Sequence, residues 1–295
     1  MYDIQNYYQA GDVEDAVRTL HKNPEAVLIS GGSDVLIKIR EGKLAGCSLV
    51  SINGIPELQS ISREDDGTIV IGAGATFAGI AGNEIIRRYI PMLGHAVDQA
   101  GGPQLRNVGT IGGNICNGAT SADSAPGLFA LNAVLVLKGA DGIRELPIRQ
   151  FYTGPGRTVR AHDEILTEIR ITRENYHEYG GHYIKYGKRN AMEIATLSCA
   201  CMVRLTKQKD GVEDMRLAYG VAAPTPIRCS TVEQQAKGMK IGHGLYEMVG
   251  QGVLKEINPR SSWRASREFR LLLAEELAKR VLKQAIRYAG GEANA

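Results

Sequence analysis

The chain has 295 residues, of which 43% are hydrophobic and 23% charged, a composition typical of a globular protein with room for more than one domain. Its 35 basic and 32 acidic residues give a formal net charge of +3 and are scattered rather than gathered into tracts, which disfavours nucleic acid as the main partner. The N-terminal sequence has no apolar targeting segment, and no apolar run reaches the length of a membrane helix, so we expect a cytoplasmic protein.

The first part of the chain contains an amphipathic helix and two short strands. Four apolar residues share one helical face, namely Val13, Ala16, Val17 and Leu20. Asp12 can cap the start of this helix, and Pro24 follows its end. The stretch AVLI at 26–29 predicts a buried strand that leads into the turn SGGSD, and LVSI at 49–52 predicts another strand.

The stretch TIVIGAGATFAGIAG, residues 68–82, predicts a strand, a glycine turn and then a helix. Its glycines resemble the dinucleotide fingerprint GxGxxG, but Phe77 stands where that motif needs a third small residue. No alternating βαβ pattern follows. We therefore interpret the segment as an ordinary turn between a strand and a helix, and not as a Rossmann nucleotide site.

Two glycine clusters far apart in sequence carry the strongest functional signal: LISGGSDVL at 28–36 and GTIGGN at 109–114. Glycine lets main-chain N–H groups converge on an anion, and short polar side chains add donors without bulk. The second cluster continues into a polar run that ends at Asp123. The Walker pattern is absent, so a nucleotide triphosphatase is disfavoured. Together the two loops favour a nucleotide cofactor held between them.

The last third of the chain has the pattern of a separate small domain. Strands are predicted at HYIKYGKR, ATLSCACMVRLT and MRLAYGVAA, and helices follow, an order that indicates an α+β architecture. The final helix is predicted to pack through an apolar stripe formed by Phe269, Leu272, Leu273, Leu277 and Val281.

The cysteines and histidines form no recognisable metal motif. None of the five cysteines lies in a CxxC pair, and the six histidines are dispersed. Cys199 and Cys201 alternate along one predicted strand, which places both on one face and leaves a metal pair or two buried thiols as alternatives. We favour buried thiols and expect no metal site in this chain.

Four stretches of the sequence carry a family resemblance: AVLISGGSDVL, GPQLRNVGTIGGNICNGATSADSAP, GVAAPTPIRC and PRSSWRASREFRLLLAEELAKR. They closely resemble the FAD-binding subunits of bacterial xanthine dehydrogenases, which are members of the molybdenum hydroxylase family. The resemblance extends over nearly the whole chain in the expected order. The TIGGN loop followed nine residues later by an aspartate is specific to this family rather than generic.

The resemblance implies an α+β fold in two domains. A two-part FAD-binding module of the vanillyl-alcohol oxidase type would span 1–178, with parts of roughly 1–55 and 56–178, and a small α+β domain would span 179–295. It further implies noncovalent FAD, with these contact residues: Leu28, Ile29, Ser30, Gly31, Gly32, Ser33, Asp34, Val35, Thr110, Ile111, Gly112, Gly113, Asn114, Asp123, Leu166 and Lys185.

Within that set, individual roles follow from the resemblance and from side-chain chemistry. Thr110 and Asn114 are the expected side-chain donors to the FAD pyrophosphate. Asp123 is either a cofactor contact or a structural helix cap. Lys185 is either a cation that stabilises the reduced flavin or an ordinary solvated charge, and we favour the first. Cys116, beside the second loop, is expected to serve packing rather than redox chemistry.

The family resemblance also implies a division of labour among subunits. Molybdopterin and two [2Fe-2S] clusters would belong to partner chains, since this sequence lacks the cysteine spacing for clusters. FAD would take electrons from the clusters and pass hydride to NAD⁺. Alternatives are a hydroxylase acting on another heterocycle or an aldehyde, a self-sufficient flavin oxidase, or a scaffold subunit with an inert flavin.

Overall fold

The structure is a computed structural model that describes residues 2–292. In this range the chain forms, in chain order, β-sheets of three, five and four strands and one small hairpin. Helices pack against each of the larger sheets, so the α+β class expected from the sequence is confirmed. None of the helices in residues 2–292 is long and apolar enough to cross a membrane.

The N-terminal sheet is parallel, with the strand order β1-β3-β2. Its elements are β1 (Ile4–Gln9), α1 (Val13–Lys22), β2 (Val27–Ile29), α2 (Val35–Arg40) and β3 (Cys47–Ser51). The predicted first helix is confirmed: the Asp12 carboxylate accepts a hydrogen bond from the Asp15 N–H at 2.7 Å, and the whole predicted apolar face is buried. Strand β1 could not be predicted, because its six residues are all exposed and show no apolar alternation.

The central sheet is antiparallel throughout, with the order β4-β5-β10-β6-β7. Its strands are β4 (Ile61–Arg63), β5 (Ile69–Gly72), β6 (Val134–Gly139), β7 (Gly142–Pro147) and β10 (Ile165–Ile171), and the hairpin is β8 (Tyr152–Gly154) with β9 (Arg157–Thr158). Because β5 has antiparallel neighbours, the glycine turn that follows it is no Rossmann unit, as predicted. Phe77 starts the next helix and is buried.

Six short helices of residues 77–130 connect β5 to β6 and cover the central sheet. They are α3 (Phe77–Gly82), α4 (Glu84–Tyr89), α5 (Pro91–Asp98), α6 (Pro103–Val108), α7 (Ile111–Cys116) and α8 (Ser124–Ala130). Single 3-10 turns lie at Pro56–Leu58, Ile148–Gln150 and Arg173–Asn175. The predicted glycine cluster GTIGGN therefore becomes the start of α7.

The C-terminal sheet is antiparallel in the order β11-β12-β13-β14. Its strands are β11 (Gly180–Tyr186), β12 (Leu197–Leu205), β13 (Val212–Gly220) and β14 (Ile227–Arg228), and its helices are α9 (Ser230–Ala236), α10 (His243–Val253) and α11 (Arg267–Tyr288). Cys199 and Cys201 lie fully buried among aliphatic side chains of this domain, and burial raises the pKa of both thiols. They are core residues, as favoured from the sequence.

The predicted packing stripe of α11 is only partly correct. Leu273, Leu277 and Val281 are buried, whereas Phe269 is 40% and Leu272 63% exposed. The buried residue of the first turn is instead Arg270. Its guanidinium donates to the carbonyl of Thr196 at 3.2 Å and to the hydroxyl of Ser262 at 2.8 Å. Polar anchoring of this turn replaces the apolar packing that periodicity alone predicts.

Helix α8 joins the central and C-terminal sheets. It packs against β12 and β13, and two buried arginines of the C-terminal sheet bind its last carbonyls. Arg216 donates to Ala130 O at 3.2 Å, and Arg228 donates to Phe129 O at 3.0 Å. Because the start of α8 lies beside Asp123, this junction fixes one wall of the candidate site.

Candidate functional site

A cavity of about 800 Å³ lies where the N-terminal sheet, the central helices and the C-terminal sheet meet. Its lining comes mainly from four regions of the chain: 26–38, 100–123, 160–166 and 192–194. Thirteen of the predicted contact residues line it: Leu28, Ser30, Gly31, Gly32, Ser33, Asp34, Val35, Thr110, Gly112, Gly113, Asn114, Asp123 and Leu166. Folding thus brings both glycine loops to one cavity.

Three predicted contact residues do not line this cavity. Ile29 packs its side chain into a small apolar cluster under the N-terminal sheet, and Ile111 is fully buried in the main core. Lys185 lies behind the wall, where it contacts a lining residue instead of the open space. Ile29 and Ile111 hold the loops in place, with their side chains packed into the core and not exposed to the cavity.

The first glycine loop offers free main-chain donors. Within residues 2–292, the N–H groups of Gly31, Gly32, Ser33 and Asp34 donate no hydrogen bond. Gly32 has a φ of +74°, a left-handed conformation that favours glycine. Since unpaired N–H groups at a cavity wall are ready donors to an anion, this loop has the property expected of a phosphate-binding turn.

Gly31 is the point where the two glycine loops touch. A Cβ atom at this position would lie 1.8 Å from the carbonyl oxygen of Val108 and 3.3 Å from the Cα atom of Gly109. No side chain fits in that space. The glycine is therefore required by the close approach of one loop to the other, in addition to any contact with a ligand.

The second glycine loop differs from the expectation that its main-chain donors face an anion. The N–H of Ile111 donates to Ala75 O at 3.0 Å and that of Gly112 to Ala73 O at 2.8 Å. The N–H of Gly113 donates to the Thr110 hydroxyl at 3.2 Å, which caps α7. The first N–H groups of α7 therefore donate to acceptors within the protein and are not free to bind a ligand.

Gly112 serves helix packing. A Cβ atom there would lie 2.6 Å from the Cβ and 2.7 Å from the carbonyl oxygen of Ala73. A Cβ on Gly113 would meet only the Thr110 hydroxyl, at 2.9 Å, and Gly113 has no positive φ. The two adjacent glycines thus differ: the first lets α7 lie against the end of β5, and the second leaves the cavity wall bare.

The two side chains expected to act as donors keep free hydrogens in this arrangement. The Thr110 oxygen accepts from Gly113 but its hydroxyl hydrogen is unused, and the Asn114 carbonyl accepts from the Ser124 hydroxyl at 2.6 Å. That bond orients the Asn114 amide so that its NH₂ group has no acceptor among residues 2–292. Both side chains line the cavity, so each has a hydrogen to donate to a ligand.

Asp123 and Lys185 form a buried ion pair in the cavity wall. Lys185 Nζ lies 2.9 Å from Asp123 Oδ2 and 3.0 Å from the carbonyl of Gln99, and its side chain is 7% exposed. The Tyr183 hydroxyl donates to the other Asp123 oxygen at 3.1 Å. Burial raises the pKa of Asp123, while Lys185 opposes that effect. Lys185 is therefore no solvated charge, and Asp123 makes no side-chain cap bond to α8.

Leu166 and Cys116 complete the apolar part of the lining. Leu166 is 3% exposed and pairs with Leu137 just before an irregularity in the register of β10. Cys116 ends α7, and burial raises the pKa of its thiol to about 11. A thiol with that pKa stays protonated and unreactive at neutral pH, in line with the packing role expected from the sequence.

Several lining residues were missed from the sequence. They are Lys38 on α2, Gly101, Gly102, Gln104 and Leu105 around the start of α6, Arg160, and Met192 to Ile194 after β11. The glycine pair at 101–102 was a visible signal, and Lys38 follows the first loop by one helical turn. The 192–194 segment carries no motif, and only tertiary structure brings it to the cavity.

Comparison with known proteins agrees with this geometry. Residues 2–173 match the family model "FAD binding domain in molybdopterin dehydrogenase", and 182–285 match "CO dehydrogenase flavoprotein C-terminal domain". The chain belongs to the FAD-binding subunits of the molybdenum hydroxylases. It is 41% identical to the xanthine dehydrogenase FAD-binding subunit of Escherichia coli O157:H7, over 99% of both chains.

More distant relatives support the same assignment. The chain is 29% identical to the glyceraldehyde dehydrogenase medium chain of Sulfolobus acidocaldarius, over 95% of this chain and 97% of that one. Among solved structures, carbon monoxide dehydrogenase from Hydrogenophaga pseudoflava superposes with a TM-score of 0.92 at 27% identity, over 98% of this chain and 99% of that one. The predicted FAD-binding module followed by a C-terminal flavoprotein domain is therefore confirmed.

Proposed function

We propose that this chain is the electron-transfer subunit of a xanthine dehydrogenase that uses NAD⁺ as acceptor. Family membership and the 41% identity to a xanthine dehydrogenase subunit support the choice of substrate. The observation that carries the role of the chain is the cavity itself, which combines unpaired N–H groups with largely apolar walls. Molybdopterin and the [2Fe-2S] clusters would reside in partner subunits, and the cytoplasmic location stays a prediction.

The residues of the cavity fit noncovalent FAD. The free N–H groups from Gly31 to Asp34 suit its anionic pyrophosphate, and the unused hydrogens of Thr110 and Asn114 suit its phosphate or ribityl oxygens. We assign the contact set predicted from the sequence to this site, with Ile29 and Ile111 fixing the positions of the two loops through their bonds to Ile52 and Ala75. We also propose domains of 1–178 and 179–295, with a boundary between β10 and β11.

The protein contributes binding, orientation and electrostatics to the reaction. When bound, FAD supplies a group that accepts electrons singly from [2Fe-2S] clusters of a partner subunit and gives up a hydride to NAD⁺. The glycine loops hold and orient the dinucleotide. Lys185, whose Nζ lies 2.9 Å from Asp123, would be the cation behind the wall that favours negative charge on the reduced flavin. The protonated Cys116 thiol takes no part in redox chemistry.

Anaerobic stopped-flow absorbance of the isolated, flavin-loaded chain tests this function. NADH should bleach the flavin rapidly, while xanthine alone should leave it oxidised, because we place the molybdenum centre in a partner subunit. Addition of the iron–sulfur and molybdenum subunits should restore xanthine-dependent NAD⁺ reduction. Rapid bleaching by xanthine alone would indicate a self-sufficient flavin oxidase, and a flavin that neither NADH nor the partner subunits reduce would indicate a scaffold. Restoration by an aldehyde or another heterocycle, but not by xanthine, would assign a related hydroxylase.

A further inference from the structure

Lys38 is a lining residue that belongs to neither glycine loop. It lies in α2, the helix that begins at the end of the first glycine loop, and its side chain reaches across to the central domain. There Nζ donates a hydrogen bond of 3.0 Å to the side-chain oxygen of Asn117, the residue that follows α7. Both residues line the cavity. Among residues 2–292, Lys38 is the lysine whose side chain lines the cavity.

Two contacts frame the cavity between α2 and α7. At one end, Gly31 lies directly against the main chain of Val108. At the other end, Lys38 meets Asn117. The unpaired N–H groups of the first loop lie on the segment between Gly31 and Lys38. Asp34, the last of these free donors, precedes Lys38 by one helical turn, so a ligand that accepts from its N–H lies near the Lys38 side chain.

The carboxylates of the cavity are mostly neutralised by cations that lie outside its lining. Asp123 pairs with Lys185 at 2.9 Å, and Glu193 pairs with Arg189 at 2.9 Å. Neither Lys185 nor Arg189 lines the open space. These two pairs carry no net charge, and Asp34, the third carboxylate of the lining, has no cation of residues 2–292 within ion-pair distance, so a further cation would favour the pyrophosphate of a dinucleotide.

Arg160 and Lys38 are the cationic side chains of the lining, and they differ in how they are engaged. The Nη1 atom of Arg160 donates to three carbonyls of its own turn, at Ala161, His162 and Glu164. Lys38 has a single partner, the neutral side-chain oxygen of Asn117, and like Arg160 it has no carboxylate of residues 2–292 within ion-pair distance. Its ammonium therefore has two unused donors, and it exchanges one contact where Arg160 would have to give up several.

We propose that Lys38 is a phosphate-binding residue of the FAD site, which exchanges the Asn117 amide for the anionic pyrophosphate when the dinucleotide binds. The inference rests on FAD binding by this cavity. The exchange is favourable because a charged acceptor forms a stronger hydrogen bond with an ammonium group than a neutral amide oxygen does. In the absence of the dinucleotide, the bond to Asn117 holds α2 and α7 together.

Two substitutions separate the charge of Lys38 from its bridge to Asn117. Lys38→Gln removes the charge but keeps an amide that can reach Asn117. Asn117→Ala removes the bridge and keeps the charge. Protein freed of flavin is titrated with FAD at low salt, and the dissociation constant is measured by calorimetry. We expect Lys38→Gln to weaken FAD binding by about 10- to 100-fold, and Asn117→Ala to bind FAD as tightly as the unaltered protein or more tightly.

Salt and a surface lysine supply the controls. The difference between Lys38→Gln and the unaltered protein should shrink in 1 M NaCl, where the Debye length is about 3 Å. Lys43→Gln, which removes an exposed lysine paired with Glu41, should leave FAD binding unchanged. Lys38→Arg should restore most of the affinity. Thermal unfolding of the flavin-free variants shows whether each remains folded.

Equal loss of affinity in Lys38→Gln and Asn117→Ala would overturn the proposal, because the bridge and not the charge would then matter. Unaltered affinity in Lys38→Gln would overturn it as well. An unaltered protein that binds FAD but is not reduced by NADH would contradict the proposed function and leave the role of Lys38 intact. Failure of the unaltered protein to bind FAD would refute both.

Discussion

Gly31→Ala is the substitution for which the structure gives the clearest expectation. Its Cβ atom would lie 1.8 Å from Val108 O and 2.7 Å from the carbonyl carbon of the same residue. Since non-bonded atoms pack at about 3.5 Å, the two loops must separate by more than about 1 Å. The obstacle is main chain on both sides, so no change of rotamer can relieve it.

That separation should affect both the fold and the cofactor site. Overpacking of this kind costs about 1–3 kcal/mol in the free energy of unfolding. A displacement of about 1 Å in a preorganised site weakens its interactions by about 100-fold, which we expect as the rise in the FAD dissociation constant. The assay is FAD content after gel filtration, followed by calorimetric titration of the flavin-free protein and thermal unfolding.

Gly11→Ala is the matched control, because a Cβ atom at Gly11 has no neighbour within 4 Å and the residue lies in the same N-terminal segment. It should retain both FAD and stability. If Gly31→Ala binds FAD with the affinity of the unaltered protein, the close approach of the two loops does not shape the binding site, and the reasoning fails.

Three further expectations concern the cavity wall and its surroundings. Gly112→Ala should displace α7 from Ala73, which its Cβ would approach to 2.6 Å, and so lower the melting temperature measured by calorimetry. Lys185→Met should lower the free energy of unfolding at pH 8 by about 3–5 kcal/mol, because Asp123 is left buried and unpaired. The pKa of Asp123, already raised by burial, should rise further in this variant. The loss of stability should therefore be complete above the pKa of Asp123 in the folded variant and should shrink as the pH falls through that pKa. Urea denaturation at a series of pH values measures this dependence. Burial lowers the pKa of His182 from 6.5 to about 4; since only the unfolded chain gains the proton between these values, stability should fall from pH 6.5 to 4, and His182→Gln should remove that part of the fall.

The elements that could be predicted are those in which local sequence and tertiary packing agree. Helix α1 has its cap at Asp12 and its apolar face in register, and the structure matches both. Strand β1 was missed because an exposed strand has no apolar period. The stripe of α11 was wrong at Phe269 and Leu272, because Arg270 buries its guanidinium in the first turn, and periodicity does not detect polar anchoring.

In the candidate site too, local sequence predicted some features and tertiary contacts determined the others. Glycine clusters and family resemblance were sufficient to indicate the two loops that meet at the cavity. The sequence could not show that the N–H groups of Ile111 and Gly112 bind the carbonyls of Ala75 and Ala73, since those partners lie more than thirty residues away. Likewise, the pairing of Lys38 with Asn117 depends on the arrangement of α2 beside α7, which no local pattern encodes.

The position of Asp123 has a consequence for how the molecule unfolds. This residue lies in the cavity wall beside α8, yet its hydrogen-bond partners Tyr183 and Lys185 belong to the C-terminal sheet. A ligand in the cavity therefore lies against the N-terminal and central sheets, through Leu28 and Leu166, and is linked to the C-terminal sheet through Asp123. Saturating FAD, at 100 times its dissociation constant, would add about 2.7 kcal/mol to the stability of the assembled unit. Loss of the flavin should therefore lower the midpoint of calorimetric unfolding, while α8 and the shared core keep the central and C-terminal sheets together.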